Sequence, residues 1–323
     1  MSDYRGTYTQ KKKKIRLILS TVAVAIFLLV ELLSRIPALH FNGWQDISVW
    51  LGLSAPTVTP EGEMEVHFID VGNADCVLVR QGEKNLLIDA GERGDRDTIL
   101  SYLHERGITT LDLVVATHPH ADHIGAMADV IREMEIDCFI MSFMPESDTP
   151  TTNVYMDMLE ELDKKEVPVE EAKPGAMYEL GTARLQVLAP FEASKDANDI
   201  SVVTRLTFGE RTFVFTGDAG TVVEKQILSR GWDVSADVLK LGHHGSSTSN
   251  SEAFIDAVAP SYAVVTCGEG NSYGHPHDEP LLLLNERKIP FYRSDVYGTV
   301  VFTTDGTELA VESERGATVY GGR

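Results

Sequence analysis

Between Thr117 and Ala126 the chain reads Thr-His-Pro-His-Ala-Asp-His-Ile-Gly-Ala, three histidines and an aspartate within six positions. His118 and His120 are two apart, so on an extended segment both imidazoles leave the same side of the backbone. Asp122 and His123 follow where the apolar pattern turns helical, which aims a second pair of donors at a neighbouring point. Imidazole nitrogen and carboxylate oxygen are donors that zinc, manganese or iron accept. A solvated His-rich loop ahead of a helix would explain one or two of these histidines, but not their order and spacing.

Three other segments end an apolar run on a potential ligand. Leu86-Leu87-Ile88-Asp89-Ala90-Gly91 puts a carboxylate after a buried strand, and Phe213-Val214-Phe215-Thr216-Gly217-Asp218 repeats the device. Val238-Leu239-Lys240-Leu241-Gly242-His243-His244-Gly245-Ser246 delivers two histidines. Loops at the ends of rigid strands are where ligating and catalytic groups concentrate. Each segment alone reads as a turn-capping Asp or an exposed His; together they read as one site. Lys240 reads as structural or electrostatic. Asp70 and Asp75 flank Gly72, and turn geometry accounts for both. Asp295 either orients a loop or pairs with Arg293.

Asp89, the His118–His123 cluster, Asp218 and His243 together resemble the metallo-β-lactamase superfamily, over residues 64–305. Finer segments narrow the likeness: Phe68-Ile69-Asp70-Val71-Gly72-Asn73-Ala74-Asp75, the pair His243-His244 before Gly245-Ser246-Ser247, and Asn271-Ser272-Tyr273-Gly274-His275-Pro276. These are similar to the hydrolase domain of ComEC-type DNA-uptake proteins, to that family's stand-alone secreted members and to the related phosphorylcholine esterases. The polytopic channel of the full competence protein has no counterpart in this sequence, so the resemblance does not carry a DNA-transport role over to it.

The resemblance implies an α/β fold of αββα sandwich type with a dinuclear site for two divalent ions, zinc ahead of manganese. It implies that His118 and His120 hold the first metal, that Asp122, His123 and His243 hold the second, and that Asp218 bridges them. Asp89 would orient a ligand histidine from behind, and Asp122 would be catalytic as well as ligating. The superfamily's usual further histidine is missing, since none occurs from Ala126 to Gly242. Asn198-Asp199-Ile200-Ser201 stands in that region, so Asn198, Asp199 or water would complete the first metal.

The chemistry expected is attack on a phosphodiester by a metal-activated hydroxide, because a bound divalent ion lowers the pKa of its water from 15.7 to about 7. A leaving alkoxide needs a proton, and His244 and His275 are the candidate donors; His275 also reads as a histidine satisfied in its turn. Asn198, Ser201, Ser246 and Ser247 are the candidate substrate contacts. The polar run Ser246–Thr248 also reads as a cap for the helix starting near Ser251.

Around these tips the chain alternates. Strand-like runs cover Glu65–Val71, Cys76–Arg80, Asn85–Asp89, Leu111–Thr117, Asp137–Phe143, Ala183–Leu188, Ser201–Phe208, Thr212–Thr216, Asp237–Leu241, Tyr262–Thr266 and Thr299–Thr304. Helical patterns fit Arg96–Arg106, Ile124–Met134, Thr152–Lys165, Thr221–Ser229, Ser251–Val258 and His277–Glu286. The order predicts two mixed sheets packed face to face with helices outside. Met144–Pro174, acidic and proline-bearing, reads as an insertion or lid.

With 49 acidic against 28 basic residues the net charge is −21, which argues against a broad nucleic-acid-binding surface. A polyanion would have to be held by metal ions and local positive groups. Cys76, Cys138 and Cys267 sit in apolar runs with no metal spacing and read as buried thiols. Residues 1–14 form a basic tail and 15–36 an apolar anchor, close to the roughly 20 residues a spanning helix needs. Residues 37–62 read as a linker and 63–323 as the hydrolase domain. Positive charge ahead of Leu17 sets the N-terminus inside and the hydrolase outside the cell membrane; a cleaved signal and a secreted enzyme is the alternative. The expected function is a membrane-anchored phosphodiesterase or nuclease acting on extracellular nucleic acid or wall-polymer phosphodiesters, with no stable protein partner. A β-lactam or thioester hydrolase of the same fold, and a non-catalytic binding module, are the competing readings.

Overall fold

Period-two alternation decides the architecture. In this computed structural model, which describes residues 59–60, 62–144, 149–191 and 194–316, β1 (Met64–Phe68), β2 (Val77–Gln81) and β3 (Lys84–Ile88) form an antiparallel meander. A small ribbon pairs β4 (Thr110–Leu111) with β6 (Glu135–Ile136), while β5 (Leu113–Ala116), β7 (Phe139–Met141) and β8 (Val169–Glu171) continue the first sheet in parallel beyond β3.

The second sheet opens with antiparallel β9 (Met177–Leu180), β10 (Ala183–Ala189), β11 (Val203–Phe208) and β12 (Arg211–Phe215). It ends with parallel β13 (Val238–Lys240), β14 (Tyr262–Val265) and β15 (Phe291–Arg293). β16 (Val300–Thr304) and β17 (Leu309–Ser313) then return beside β1, giving the orders 17-16-1-2-3-5-7-8 and 15-14-13-12-11-10-9.

Successive strand residues point to opposite faces, and here both faces are apolar. Val66, Val79, Leu86, Val115, Phe213, Phe215 and Val264 meet between the sheets, while their neighbours Leu78, Leu87, Val114, Val214 and Ala263 face outward onto helices. Phe68 lies 6.0 Å from Phe215 and 6.0 Å from Phe302, ring to ring, at the centre of the sandwich. Helices α1 (Arg96–Glu105), α2 (Ala121–Ile124), α3 (Met127–Glu133) and α4 (Asn153–Lys164) cover the first sheet. Helices α5 (Thr221–Ser229), α6 (Glu252–Val258) and α7 (Asp278–Glu286) cover the second. The result is the expected αββα sandwich.

Three features differ from expectation. The helix expected over Ile124–Met134 is broken after Ile124: Gly125 N donates to Gly91 O at 2.7 Å and Ala126 N to Ala90 O at 3.2 Å, pinning the break to the tip of β3. The Met144–Pro174 stretch is no lid in its described part. Tyr155, Met158 and Leu162 of α4 are buried in the core, and β8 pairs with β7 as the sheet edge. The short β4–β6 ribbon and strands β8, β9, β15 and β17 are additional; β8 is exposed throughout, and β9 is exposed at Met177 and Glu179.

The described residues fall in the unit from Val58 to Arg323, and among them no helix is long and apolar enough to cross a membrane. The expected tail and anchor, 1–14 and 15–36, lie outside the described residues, as does most of the linker. Cys76 and Cys267 are buried as expected, and Cys138 is half-buried.

Candidate metal centre

β1, β3 and β5 run in one direction in the first sheet and β12, β13 and β14 in one direction in the second. Their C-terminal ends therefore deliver loops to common edges, where polar groups escape the apolar layers. Asp75 comes from the loop after β1, Asp89 follows β3, His118 to His123 follow β5, Asp218 follows β12, and His243 and His244 follow β13. Gly217 is the tight point in this edge. At φ +50° a Cβ there would lie 3.0 Å from Thr117 Cβ and 3.2 Å from Ser201 Cβ, so only glycine lets the Asp218 loop close onto its neighbours.

The ligand atoms converge. Asp122, His123, Asp218 and His244 each offer one donor atom, all within 4.8 Å of one another. His123 Nε2 faces Asp218 Oδ1 at 3.2 Å, and His244 Nε2 faces Asp122 Oδ2 at 3.3 Å. The other Asp218 oxygen, Oδ2, lies 3.8 Å from His118 Nε2 and 3.6 Å from His243 Nε2. His118 Nε2 and His120 Nδ1 are 3.0 Å apart. Asp218 thus turns Oδ1 toward His123 and Oδ2 toward His118 and His243, with His244 Nε2 also 4.0 Å from Oδ2, so the carboxylate stands between the ligand histidines as a bridge between two cations would.

A divalent ion fits these residues. His123 Nδ1 is 2.8 Å from Asp89 Oδ2, which fixes the proton on that nitrogen and leaves Nε2 as a lone pair. Both His123 Nε2 and Asp218 Oδ1 are buried with no hydrogen-bond partner, so with a neutral imidazole two lone pairs face each other across 3.2 Å. Such an arrangement calls for a cation between them. Without a cation between them a proton takes that place: burial opposes charge on His123, yet the carboxylates of Asp218, Asp89 and Asp75 outweigh it and lift its pKa well above the ordinary imidazole value, and a bound divalent ion would displace the Nε2 proton. Burial likewise opposes charge on His244, and Asp218, Asp122 and Asp75 overcome it. Burial pushes Asp122 upward, but the His244 hydrogen bond and the nearby His123 hold its carboxyl below the usual range.

The two paired histidines take places other than those expected of them. His244, not His243, stands in the four-residue cluster: it is buried, with Nδ1 2.9 Å from the carbonyl of Thr266 and Nε2 turned to Asp122. His243 is partly open, with Nδ1 3.2 Å from Thr248 Oγ1 and Nε2 toward the His118 side of Asp218. Both hold positive φ, 54° and 52°, and this double left-handed turn swings the two rings to the same edge. His244 is therefore placed to ligate, which removes it as a free proton donor.

The other expected contacts divide. Ser201 is fully buried and its Oγ accepts from Asp218 N at 3.1 Å, so it holds the bridging aspartate and cannot reach substrate. Ser246 is also buried, with Oγ 3.0 Å from Thr248 Oγ1, and shapes the histidine turn. Ser247 stays exposed, its amide donating to His277 Nδ1 at 3.0 Å. Asn198 Oδ1 is buried without a partner. His275 lies against His243, ring centroids 5.3 Å apart, and against Tyr273 at 5.6 Å with the rings stacked. Burial and the neighbouring His243, His244 and His277 push His275 down to about 4, so its imidazole is neutral at neutral pH rather than a charged proton donor.

Four supporting residues escaped the sequence reading. Thr117 donates to both oxygens of Asp89, from N at 2.8 Å and Oγ1 at 2.7 Å. Asn250, at φ 67°, accepts from Gly242 N at 2.7 Å and donates to Gly242 O and Ser246 O, clasping the histidine turn. Glu224 accepts from the amides of Asn250 and Ser251. Asp75 is no simple turn residue: it is buried, in an ion pair with Lys240 at 2.7 Å. By contrast Asp70 does accept from Gly72 N in its turn, and Asp295 pairs with Arg293. A Thr directly before the His cluster and an Asn-Ser pair ahead of α6 were the available signals.

The fold and this clustered edge define a metal-dependent hydrolase of αββα type. The metallo-beta-lactamase superfamily model matches residues 69–269, and the chain belongs to that family. Among its relatives are competence proteins. ComE operon protein 3 of Bacillus subtilis is 29% identical over 76% of this chain and 34% of its own length. Competence protein ComA of Neisseria gonorrhoeae is 30% identical over 76% of this chain and 33% of its own length. The chain thus spans about a third of the curated relatives it matches. Of solved structures, the metallo hydrolase Igni18 of Ignicoccus hospitalis shares the fold at 17% identity and a TM-score of 0.50, covering 74% of this chain and 98% of that one. A variant of the CmlA beta-hydroxylase of Streptomyces venezuelae does so at 16% identity and 0.51, covering 79% and 58%.

Proposed function

We propose that the chain is a metal-dependent phosphodiesterase acting on nucleic acid outside the cytoplasmic membrane, anchored by its apolar N-terminal segment. The observation that carries the hydrolytic part is the split Asp218 carboxylate, with one oxygen facing His123 and the other His118 and His243. Divalent ions held there would supply Lewis acidity toward a phosphoryl oxygen and lower the pKa of an attacking water. His118, His120 and His243 would hold the first ion and Asp122, His123 and His244 the second, with Asp218 able to serve both; Asn198 Oδ1, buried without a partner, is the candidate to complete the first. Asp89 holds His123 in the tautomer that presents Nε2. His275, neutral and with Nδ1 unpartnered, is assigned to hydrogen-bond a substrate oxygen at the rim.

Support for nucleic acid over a wall polymer comes from Tyr273. The residue is 69% exposed, its ring stacked against His275, and it offers a face on which a base can stack. The net charge of −21 leaves the ions and such local contacts as the means of holding a polyanion. The test is a panel of bis-p-nitrophenyl phosphate, a single-stranded oligonucleotide, a glycerol phosphodiester, nitrocefin and a thioester, each with and without Zn2+ or Mn2+. Metal-dependent cleavage of the first two, with KM for the oligonucleotide raised by Tyr273→Ala, is expected. Preference for nitrocefin or the thioester would overturn the phosphodiesterase reading. Protease added to intact spheroplasts should digest the domain, and full protection would overturn the extracytoplasmic placement.

A further inference from the structure

Asp75 lies behind the candidate ligands rather than among them. Its Oδ2 is 2.7 Å from Lys240 Nζ and 3.7 Å from His123 Nδ1. Its Oδ1 accepts from Thr266 Oγ1 at 2.5 Å and lies 3.4 Å from His244 Nδ1. Its amide donates to the carbonyl of Asp122 at 3.0 Å, and its carbonyl accepts from Gly91 N at 2.8 Å. One residue therefore touches the Asp122 turn and the Asp89 loop of the first sheet, and Lys240 and Thr266 of the second. Asp75 and Lys240 are both buried.

A buried carboxylate is costly unless it is paired and fully hydrogen-bonded. Asp75 meets that condition only because residues of the opposite sheet reach it. Asp75, Asp89 and His123 also form a ring of donors within 4.8 Å of one another. There the chain's own ammonium, Lys240 Nζ, contacts Asp75 and donates onward to Leu241 O at 3.0 Å. The cation of this inner ring is built in.

We infer that the Asp75–Lys240 pair is a positioning device: it ties the two sheets together behind the metal centre and fixes the separation of His244 from Asp122 and His123. Lys240 fixes Asp75, Asp75 and the Thr266 carbonyl together aim His244 Nε2 forward, and the Asp75 amide holds the Asp122 turn opposite it. Neither residue touches substrate. This inference rests on the metal-centre reading above.

The test uses Co2+ titration of the full-length chain, followed by visible absorption for ligand geometry and by competition with a chelator for affinity. Asp75→Asn alone leaves the Lys240 charge buried and unpaired, so the Asp75→Asn/Lys240→Met double variant, which removes both charges, is compared with it; Thr266→Val is the mild third. In the double variant we expect a native circular dichroism spectrum, a first Co2+ equivalent close to wild type, a second weakened about 10- to 100-fold, and altered d–d bands. Thr266→Val should move the same bands less. A folded double variant that binds both equivalents with wild-type affinity and bands overturns the inference while leaving the metal centre standing. A wild-type chain that takes up no Co2+ overturns both.

Discussion

His123 Nδ1 and Asp89 Oδ2 stand 2.8 Å apart, both side chains fully buried. That contact decides which imidazole nitrogen is left to face Asp218, and Asp89 is itself held by two donors from Thr117. Asp89→Asn replaces the anion with a neutral amide that can present a donor instead. Metal affinity should fall roughly 10- to 100-fold, as for other lost carboxylate supports of ligating histidines. Chelator competition reads the change, and an unaltered constant would refute the role.

The placing of His244 among the ligands and of His243 on the His118 side gives the next test. His244→Ala should remove about one equivalent of metal and abolish turnover, since it takes a buried donor from the Asp122–His123–Asp218 cluster. His243→Ala should spare that ion and weaken the one on the His118 side. Elemental analysis of the two purified variants distinguishes them, and loss of the second ion in His243→Ala with both ions kept in His244→Ala would restore the roles expected from sequence.

Asn250 offers a stability test away from the ligands themselves. Its side chain satisfies Gly242 N, Gly242 O and Ser246 O in a buried turn, at a φ of 67° that asparagine tolerates and alanine resists. Asn250→Ala should cost about 1–3 kcal/mol per backbone group left unsatisfied, an upper bound where water enters. The urea midpoint should drop, and activity should fall with it because the turn carries both histidines. A variant with wild-type midpoint and activity would count against the clasp.

Acid sensitivity follows from Glu65. Its hydrogen bond to His67 is the main cause that holds its carboxyl down to about 2 from 4.5, against the upward pull of burial, with Thr59 and Arg80 assisting. A depressed carboxylate contributes stability that is present above its unfolded value and is lost as pH falls through the folded one. The stability gap between wild type and Glu65→Gln should therefore be full above about pH 4.5 and close as pH approaches about 2. Urea midpoints across that window measure it, and a gap that widens on acidification would contradict the assignment.

How much of this was legible in the sequence differs by feature. Strands with both faces apolar were readable because layer-forming residues repeat every second position, as in β12, where Phe213 and Phe215 face one core and Val214 the other. The edge strand β8 was not, because it is exposed throughout and carries no such pattern, and β17 alternates only weakly, with Leu309 and Val311 half-buried against the core. The ligand types were legible, whereas the facing of His243 and His244 depends on two positive φ angles that no spacing encodes. Asp75 was missed for a similar reason. A turn aspartate and a buried ion-pair partner look alike until Lys240, 165 positions on, is brought to it from the other sheet.

The centre draws His118, His120, Asp122 and His123 from one sheet and Asp218, His243 and His244 from the other. Any ion bound there would be a ligand of the assembled sandwich and of neither half, so its binding free energy is added to that of folding. Apparent stability should rise with free metal by RT ln(1 + [M]/Kd), about 2.7 kcal/mol at a hundredfold excess over Kd. Metal scarcity would then act on this protein twice, lowering its turnover and exposing it to proteolysis.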